Sequence, residues 1–340
     1  MAFTSVIVGA GGVSDAWFAP LMAEQVEIAA VVVDRRIDAA RARMEKHGID
    51  AEVSTDLAAA LEKARPDFVL DLTVPEAHCE VTCLALEAGC HVIGEKPMAS
   101  SMDEARKMVG TAERTGRLYM VSQNRRWSAH HEAIRQTLAA KAIGDITTIN
   151  CDFHLGAHIG GFRDEMASPL ILEMSIHHFD LARFLSGVDP VAVYANEFNP
   201  RGSWYKGNAA TICTFEMTDD VIFSYRGSCC AEGSHPSWDG DWRIIGSQGT
   251  LLYEQGQVPK AQVVDGDSGF HRPLRDVAIT VPELQASDMH GALREMLRFL
   301  RTGEKPQTEC HDNIKSLAMC YAAIDSAKRA TRLSICDGSF

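Results

Sequence analysis

The sequence predicts an α/β chain in two parts, a parallel sheet built from βαβ units followed by a largely antiparallel sheet with helices on one face. Three observations carry this. Up to about residue 122, apolar β-branched runs alternate with helical patterns, the signature of parallel strands joined by helices. A glycine cluster, Gly9-Ala10-Gly11-Gly12, stands between the first such run and the first helical pattern. From about residue 191 short alternating runs succeed one another without helices between them, which suits antiparallel strands with one covered face.

In the first part the apolar runs predict strands at residues 5–8, 28–33, 67–70, 91–93 and 118–121. Apolar residues at helical spacing predict helices over 15–23, 38–47, 57–64, 76–88 and 102–114, with Gly48, Gly89 and Gly116 standing where helix stops belong. After Trp127 the pattern predicts a helix over 129–141 and a strand over 146–155. A helix over 170–186 comes next, with Ser168 as N-cap, Pro169 in its first turn and Gly187 as its stop. Strands are expected at 191–197, 209–215, 221–228, 242–245 and 250–253, and closing helices at 288–300 and 312–330. The domain division this implies is residues 1–124 and 125–340.

The bulk composition removes several classes. A chain of 340 residues with 46% apolar residues is an ordinary globule of more than one domain. A net charge of -13 provides no basic face for nucleic acid, and an anionic membrane would repel it. The start Met1-Ala2-Phe3-Thr4-Ser5 lacks the basic stretch of a signal peptide, and no apolar run reaches membrane-spanning length. Of the ten cysteines, Cys79, Cys83 and Cys90 fall in segments that read as helix and adjoining strand, so the cysteines are expected as reduced thiols in a cytoplasmic protein.

Gly9, Gly11, Gly12 and Val13 form a dinucleotide-type loop: one glycine for the tight turn, another for close approach of backbone to a pyrophosphate, and a helix N-terminus beyond. Ser14 replaces the third glycine and is small enough to keep helix and strand close. Asp34, at the end of the second strand, is placed to accept both ribose hydroxyls, which favours NAD. Arg35 and Arg36 beside it could pair with a 2′-phosphate, so NADP stays open. Thr73, Pro75 and His78 lie just past the third strand of the reading and are expected to flank the cofactor, as is Asn124 at the domain junction. Glu95-Lys96-Pro97 directly succeeds the fourth strand, at the carboxyl edge where open α/β sheets bind ligands. A lysine there can donate to a substrate hydroxyl while a nicotinamide takes the hydride.

In the second part, Glu173, His177 and Asp180 are spaced i, i+4, i+7 on the predicted helix. They should share one face, where a carboxylate one turn from an imidazole can fix its tautomer for acid–base work. His154, His158 and Arg163 are expected to line a pocket for a polyhydroxylated ligand, and Trp127 to offer it an apolar face. His154 and His158 sit in a glycine-containing β-type stretch, so no metal site is expected.

Taken together, the glycine loop, Asp34, Thr73-Val74-Pro75, Glu95-Lys96-Pro97, Gln123-Asn124-Arg125-Arg126 and Glu173-x3-His177-x2-Asp180 resemble the glucose–fructose oxidoreductase/inositol dehydrogenase (Gfo/Idh/MocA) family across essentially the whole chain. The resemblance implies an N-terminal Rossmann dinucleotide-binding domain and a C-terminal α/β domain on a large, mostly antiparallel sheet. That domain would bind substrate and, through its open sheet face, make the contacts of a dimer or tetramer. Lys96 would match the family's catalytic lysine and His177 its acid–base histidine, both also touching substrate. Glu173 stands where inositol dehydrogenases usually carry aspartate, and Lys96-Pro97 is a candidate cis bond. The expected activity is NAD(P)-dependent oxidation of a secondary alcohol on a sugar or cyclic polyol. An NAD-dependent glycoside hydrolase of the same family and a catalytically silent dinucleotide-binding protein are the rival readings.

Overall fold

A computed structural model describes residues 2–33 and 36–335. The chain runs β1 (Thr4–Val8), α1 (Asp15–Ala23), β2 (Glu27–Val32), α2 (Ile37–His47), β3 (Glu52–Ser54), α3 (Leu57–Ala64), β4 (Phe68–Asp71), α4 (Pro75–Glu87), β5 (His91–Gly94), α5 (Met102–Thr115) and β6 (Tyr119–Val121). It continues through α6 (Ala129–Ala139), β7 (Ile146–His154), α7 (Ile176–Ser186), β8 (Pro190–Phe198), β9 (Ala210–Met217), β10 (Ile222–Ser228), β11 (Asp241–Gly246), β12 (Gly249–Tyr253), β13 (Lys260–Val264) and β14 (Leu274–Val277). It closes with α8 (Asp288–Thr302), α9 (Cys310–Arg329) and β15 (Leu333–Ser334).

The described residues divide into two compact units, one holding the chain up to Asn124 together with Gln285–Ile314, the other Arg125–Leu284 together with the chain from Lys315 onward. Residues 285–314 thus belong to the first unit, although their position in the sequence predicts the second. The reason is in their contacts. The buried face of α8, with Leu293, Met296 and Leu297, is matched by α1 packing, and Glu24 holds His290 at 2.8 Å and Arg294 at 3.5 Å. The loop after α8 then covers the edge of β6, where the Val121 amide donates to the Thr308 carbonyl at 3.0 Å and Met120 bridges to Glu309. An edge strand left open would be a template for unwanted pairing.

In the first unit six parallel strands lie in the order β3-β2-β1-β4-β5-β6. Helices on both faces bury these strands, so Val6, Ile7, Val69, Leu70, Val92 and Ile93 are all fully buried and the strands read as unbroken apolar runs. The order reverses direction between β1 and β4, which opens a crevice at the carboxyl ends there, the place where such sheets take a dinucleotide.

In the second unit nine strands lie in the order β14-β13-β12-β11-β7-β10-β9-β8-β15. Only the β7–β10 pair is parallel among the described pairings. One face is covered by α7, whose Phe179 ring sits 4.8 Å from Phe215 and 5.1 Å from Tyr225. The alternation on β9, with Cys213 and Phe215 buried and Ile212 and Thr214 exposed, records which face is which.

The predicted helix over 170–186 differs in kind. Leu170–Ser175 is π-helical and α geometry begins only at Ile176, ending at Gly187 in the left-handed conformation that glycine adopts without strain. Ser168 does not cap it: its hydroxyl donates to Glu197 at 3.1 Å. A π turn carries more residues than an α turn, so no single 3.6-residue period runs from Glu173 to Asp180, while Glu173 and His177 stay about one turn apart.

Candidate active site

The dinucleotide edge of the first unit is built where β1 meets α1. Gly9 has φ of 95°, and a Cβ there would stand 2.7 Å from the Leu72 carbonyl oxygen, so only glycine fits between β1 and the strand-end beside it. At Gly11 and Gly12 a Cβ would meet nothing within 4 Å. Open space therefore lies over the loop at the start of α1, and a pyrophosphate fits it. Ser14 is fully buried and donates its hydroxyl to the Gly11 carbonyl at 2.8 Å, filling the third-glycine place without crowding it. Asp34 and Arg35, the expected ribose partners, lie outside the described residues.

Next along the edge, Thr73 folds back on Asp71, its hydroxyl donating at 2.6 Å and its amide at 3.1 Å, and Pro75 starts α4. His78 and Glu95, expected beside the cofactor, are buried in the body of this unit. The His78 Nδ1 stands 3.0 Å from the Asp71 carboxylate. Burial works to lower the imidazole's pKa, but that carboxylate outweighs it, and the net direction is upward. Glu95 accepts from the Trp17 indole at 2.9 Å and from the Lys96 amide at 3.3 Å, and burial pushes its pKa up. This carboxyl therefore ties the end of β5 to α1 and holds the backbone of Lys96. Lys96 is half-buried, the peptide bond to Pro97 is cis, and Asn124 donates to the Met289 sulfur at 3.7 Å.

In the second unit, Arg163 and Glu173 form one group. The guanidinium donates twice to the same carboxylate oxygen, from Nε at 2.8 Å and from Nη2 at 2.6 Å. Sequence reasoning names both residues without joining them, because a separation of ten residues across a loop has no periodicity to read. His177 is buried in the first turn of α7. Asp180 serves a different purpose. Its two oxygens accept from Arg126 at 2.7 and 2.6 Å and one also accepts from Ser316 at 2.7 Å, so it belongs to a buried ion pair.

Three further residues of the expected pocket have these surroundings. Trp127 is 7% exposed, and its ring offers little face to a ligand. Its indole Nε1 is buried without a hydrogen-bond partner among the described residues. His154 is exposed at the end of β7, and His158 stacks on Trp204 with ring centroids 3.7 Å apart while its Nε2 lies 2.9 Å from Glu232.

A buried relay that the sequence does not suggest runs beside Glu173. The Ser175 hydroxyl donates to the Tyr225 hydroxyl at 3.0 Å, Tyr225 lies 3.4 Å from His178 Nδ1, and His178 Nε2 lies 3.3 Å from the Trp238 carbonyl. A neutral imidazole with its proton on Nε2 satisfies every member. Burial, helped by the Arg125 charge, holds His178 well below the usual histidine range, in agreement.

Comparison with known proteins bears on this architecture. Residues 3–123 match the model of the oxidoreductase family with an NAD-binding Rossmann fold, and residues 131–252 match the GFO/IDH/MocA C-terminal domain. The chain is 29% identical to a D-apiose dehydrogenase of Paraburkholderia graminis over 87% of its length and 80% of the relative's. It is 31% identical to a D-glucoside 3-dehydrogenase of Escherichia coli over 58% of each. Among solved structures, an oxidoreductase of Agrobacterium radiobacter crystallised with NAD+, L-tartaric acid and magnesium superposes with a TM-score of 0.87 at 22% identity, covering 98% of this chain and 99% of that one. The paired domain models, the glycine loop that fits a pyrophosphate and the two sheets make the chain a member of the glucose–fructose oxidoreductase/inositol dehydrogenase family of NAD-binding oxidoreductases.

Proposed function

We propose that the protein oxidises a secondary alcohol of a sugar or cyclic polyol, with Lys96, His177 and Glu173 as its working residues. The observation that carries the proposal is Lys96 at the carboxyl end of β5, held there by Glu95 in the same unit as the glycine loop. NAD supplies the hydride acceptor. Gly9, Gly11, Gly12 and Val13 hold its pyrophosphate, Asp34 its ribose, and Thr73, Pro75 and Asn124 flank it. The Lys96 ammonium donates to the substrate oxygen and favours its anionic character. His177 accepts the hydroxyl proton, and Glu173, itself fixed by Arg163, sets the position of that imidazole. The dehydrogenases among the relatives act on apiose and on glucosides, which supports a sugar as the substrate class. A panel of sugars and polyols offered with NAD and with NADP tests the reading. Reduced cofactor should accumulate with a free sugar, whereas glycoside cleavage without net reduction would point to the hydrolase chemistry instead.

We also infer that two or more copies associate through the open face of the nine-stranded sheet. Tyr194, Ile212 and Ile222 stand there 51%, 49% and 38% exposed. Apolar side chains grouped on one sheet face favour a partner surface over water. Light scattering should show a dimer or tetramer, and a monomer at working concentration would contradict the inference.

A further inference from the structure

Within the second unit a small recess opens beside Glu173, with room for little more than one water-sized group. Its lining includes the apolar side chains of Phe153, Leu155, Met174 and Trp238 and the thiol of Cys229. The Cys229 thiol does not behave as a polar or reactive wall. Burial pushes its pKa up to about 12, and its Sγ lies 3.4 Å from the Ala209 carbonyl. Tyr205, also on the wall, directs its hydroxyl at that thiol. The charged members are Arg163 and Glu173, already bound to each other.

A substrate hydroxyl pushed into this recess would give up its water and meet mostly carbon and sulfur. A methyl group is the same size and loses nothing there. The ring hydroxyls next to such a methyl would face the Arg163–Glu173 pair. Trp238, 48% exposed, presents a ring face of the kind sugars stack on. Its backbone carbonyl accepts from Arg125 and faces His178 Nε2, so the aromatic wall is held in place.

We propose that this recess receives a methyl group carried by the substrate pyranose, so that methyl-bearing sugars are used in preference to their fully hydroxylated counterparts. Two sources share that chemistry, the methyl of a 6-deoxy sugar and the methyl of a methyl glycoside. The proposal rests on the dehydrogenase reading for the sugar as substrate, and its own content is the methyl-sized specificity.

The test uses the full-length protein with matched pairs, 6-deoxy-D-glucose against D-glucose, L-fucose against L-galactose, and methyl D-glucosides against D-glucose. Turnover is read as reduced nicotinamide, and binding is read separately by calorimetry with the cofactor present. At least one methyl-bearing member should exceed its partner in kcat/KM and in affinity by roughly tenfold or more, and which pair responds identifies the source. Ala157→Leu, which adds bulk to a recess wall, should erase the preference. Equal or better use of the hydroxylated members, in turnover and in binding, would overturn the recess proposal and leave the dehydrogenase reading standing. A methyl preference in binding with no reduced cofactor from any sugar would do the reverse. Failure of every member to bind would overturn the recess proposal.

Discussion

Lys96→Met should lower turnover by roughly two to four orders of magnitude while NAD binds nearly as well as to the unaltered protein. Methionine keeps much of the length and apolar body of lysine and removes only the ammonium, so the half-buried site should stay packed. The backbone there is fixed from another side chain. Glu95 receives the Lys96 amide and the Trp17 indole, and neither contact involves the lysine's own charge. Loss of turnover with cofactor binding intact is the result expected for a missing donor to the substrate oxygen. Cofactor fluorescence titration measures the binding, and steady-state rates on the best sugar of the panel measure the turnover. Undiminished rates would remove Lys96 from the chemistry.

The second large effect is on stability. Asp180→Ala should destabilise the second unit by about 3–5 kcal/mol, because it takes from the buried Arg126 guanidinium the carboxylate that accepts two of its hydrogen bonds. Ser316 loses its acceptor as well, while still receiving Arg183 at 2.8 Å. For a unit of this size the melting temperature should fall by roughly 6–20 °C. Replacing both partners, Arg126→Met with Asp180→Leu, should recover most of the loss, since the desolvation of two charges is then avoided. Calorimetric melting of the single variant, the double variant and the parent checks this. A single variant that melts within a degree or two of the parent would show that the pair contributes little.

The pair also explains what was legible in the sequence and what was not. The parallel half could be read because β1, β4 and β5 are apolar on both faces and end in loops with Gly9, Thr73 and Lys96 at fixed places. Three-residue β3 is too short to give a period, and the two edge strands of the nine-stranded sheet, exposed β14 and two-residue β15, carry no alternation to mark them. Helical spacing singles out Glu173, His177 and Asp180 but does not encode the π-helical turns before Ile176, nor that Asp180 is claimed by an arginine 54 residues earlier. Burial of Trp127 and the return of residues 285–314 to the first unit are tertiary facts of the same kind. Both depend on partners far away in the chain, and the Arg163–Glu173 contact depends on a loop conformation that periodicity does not encode.

The central claim is that a hydrogen bound to a sugar carbon passes to NAD in this protein. The direct measurement is to incubate it with NAD and sugars deuterated at the ring carbons, then to weigh the recovered cofactor by mass spectrometry. Net reduced cofactor carrying one deuterium, absent with Lys96→Met, is the result predicted. Cofactor that binds tightly yet returns oxidised and unlabelled with every sugar offered would contradict it.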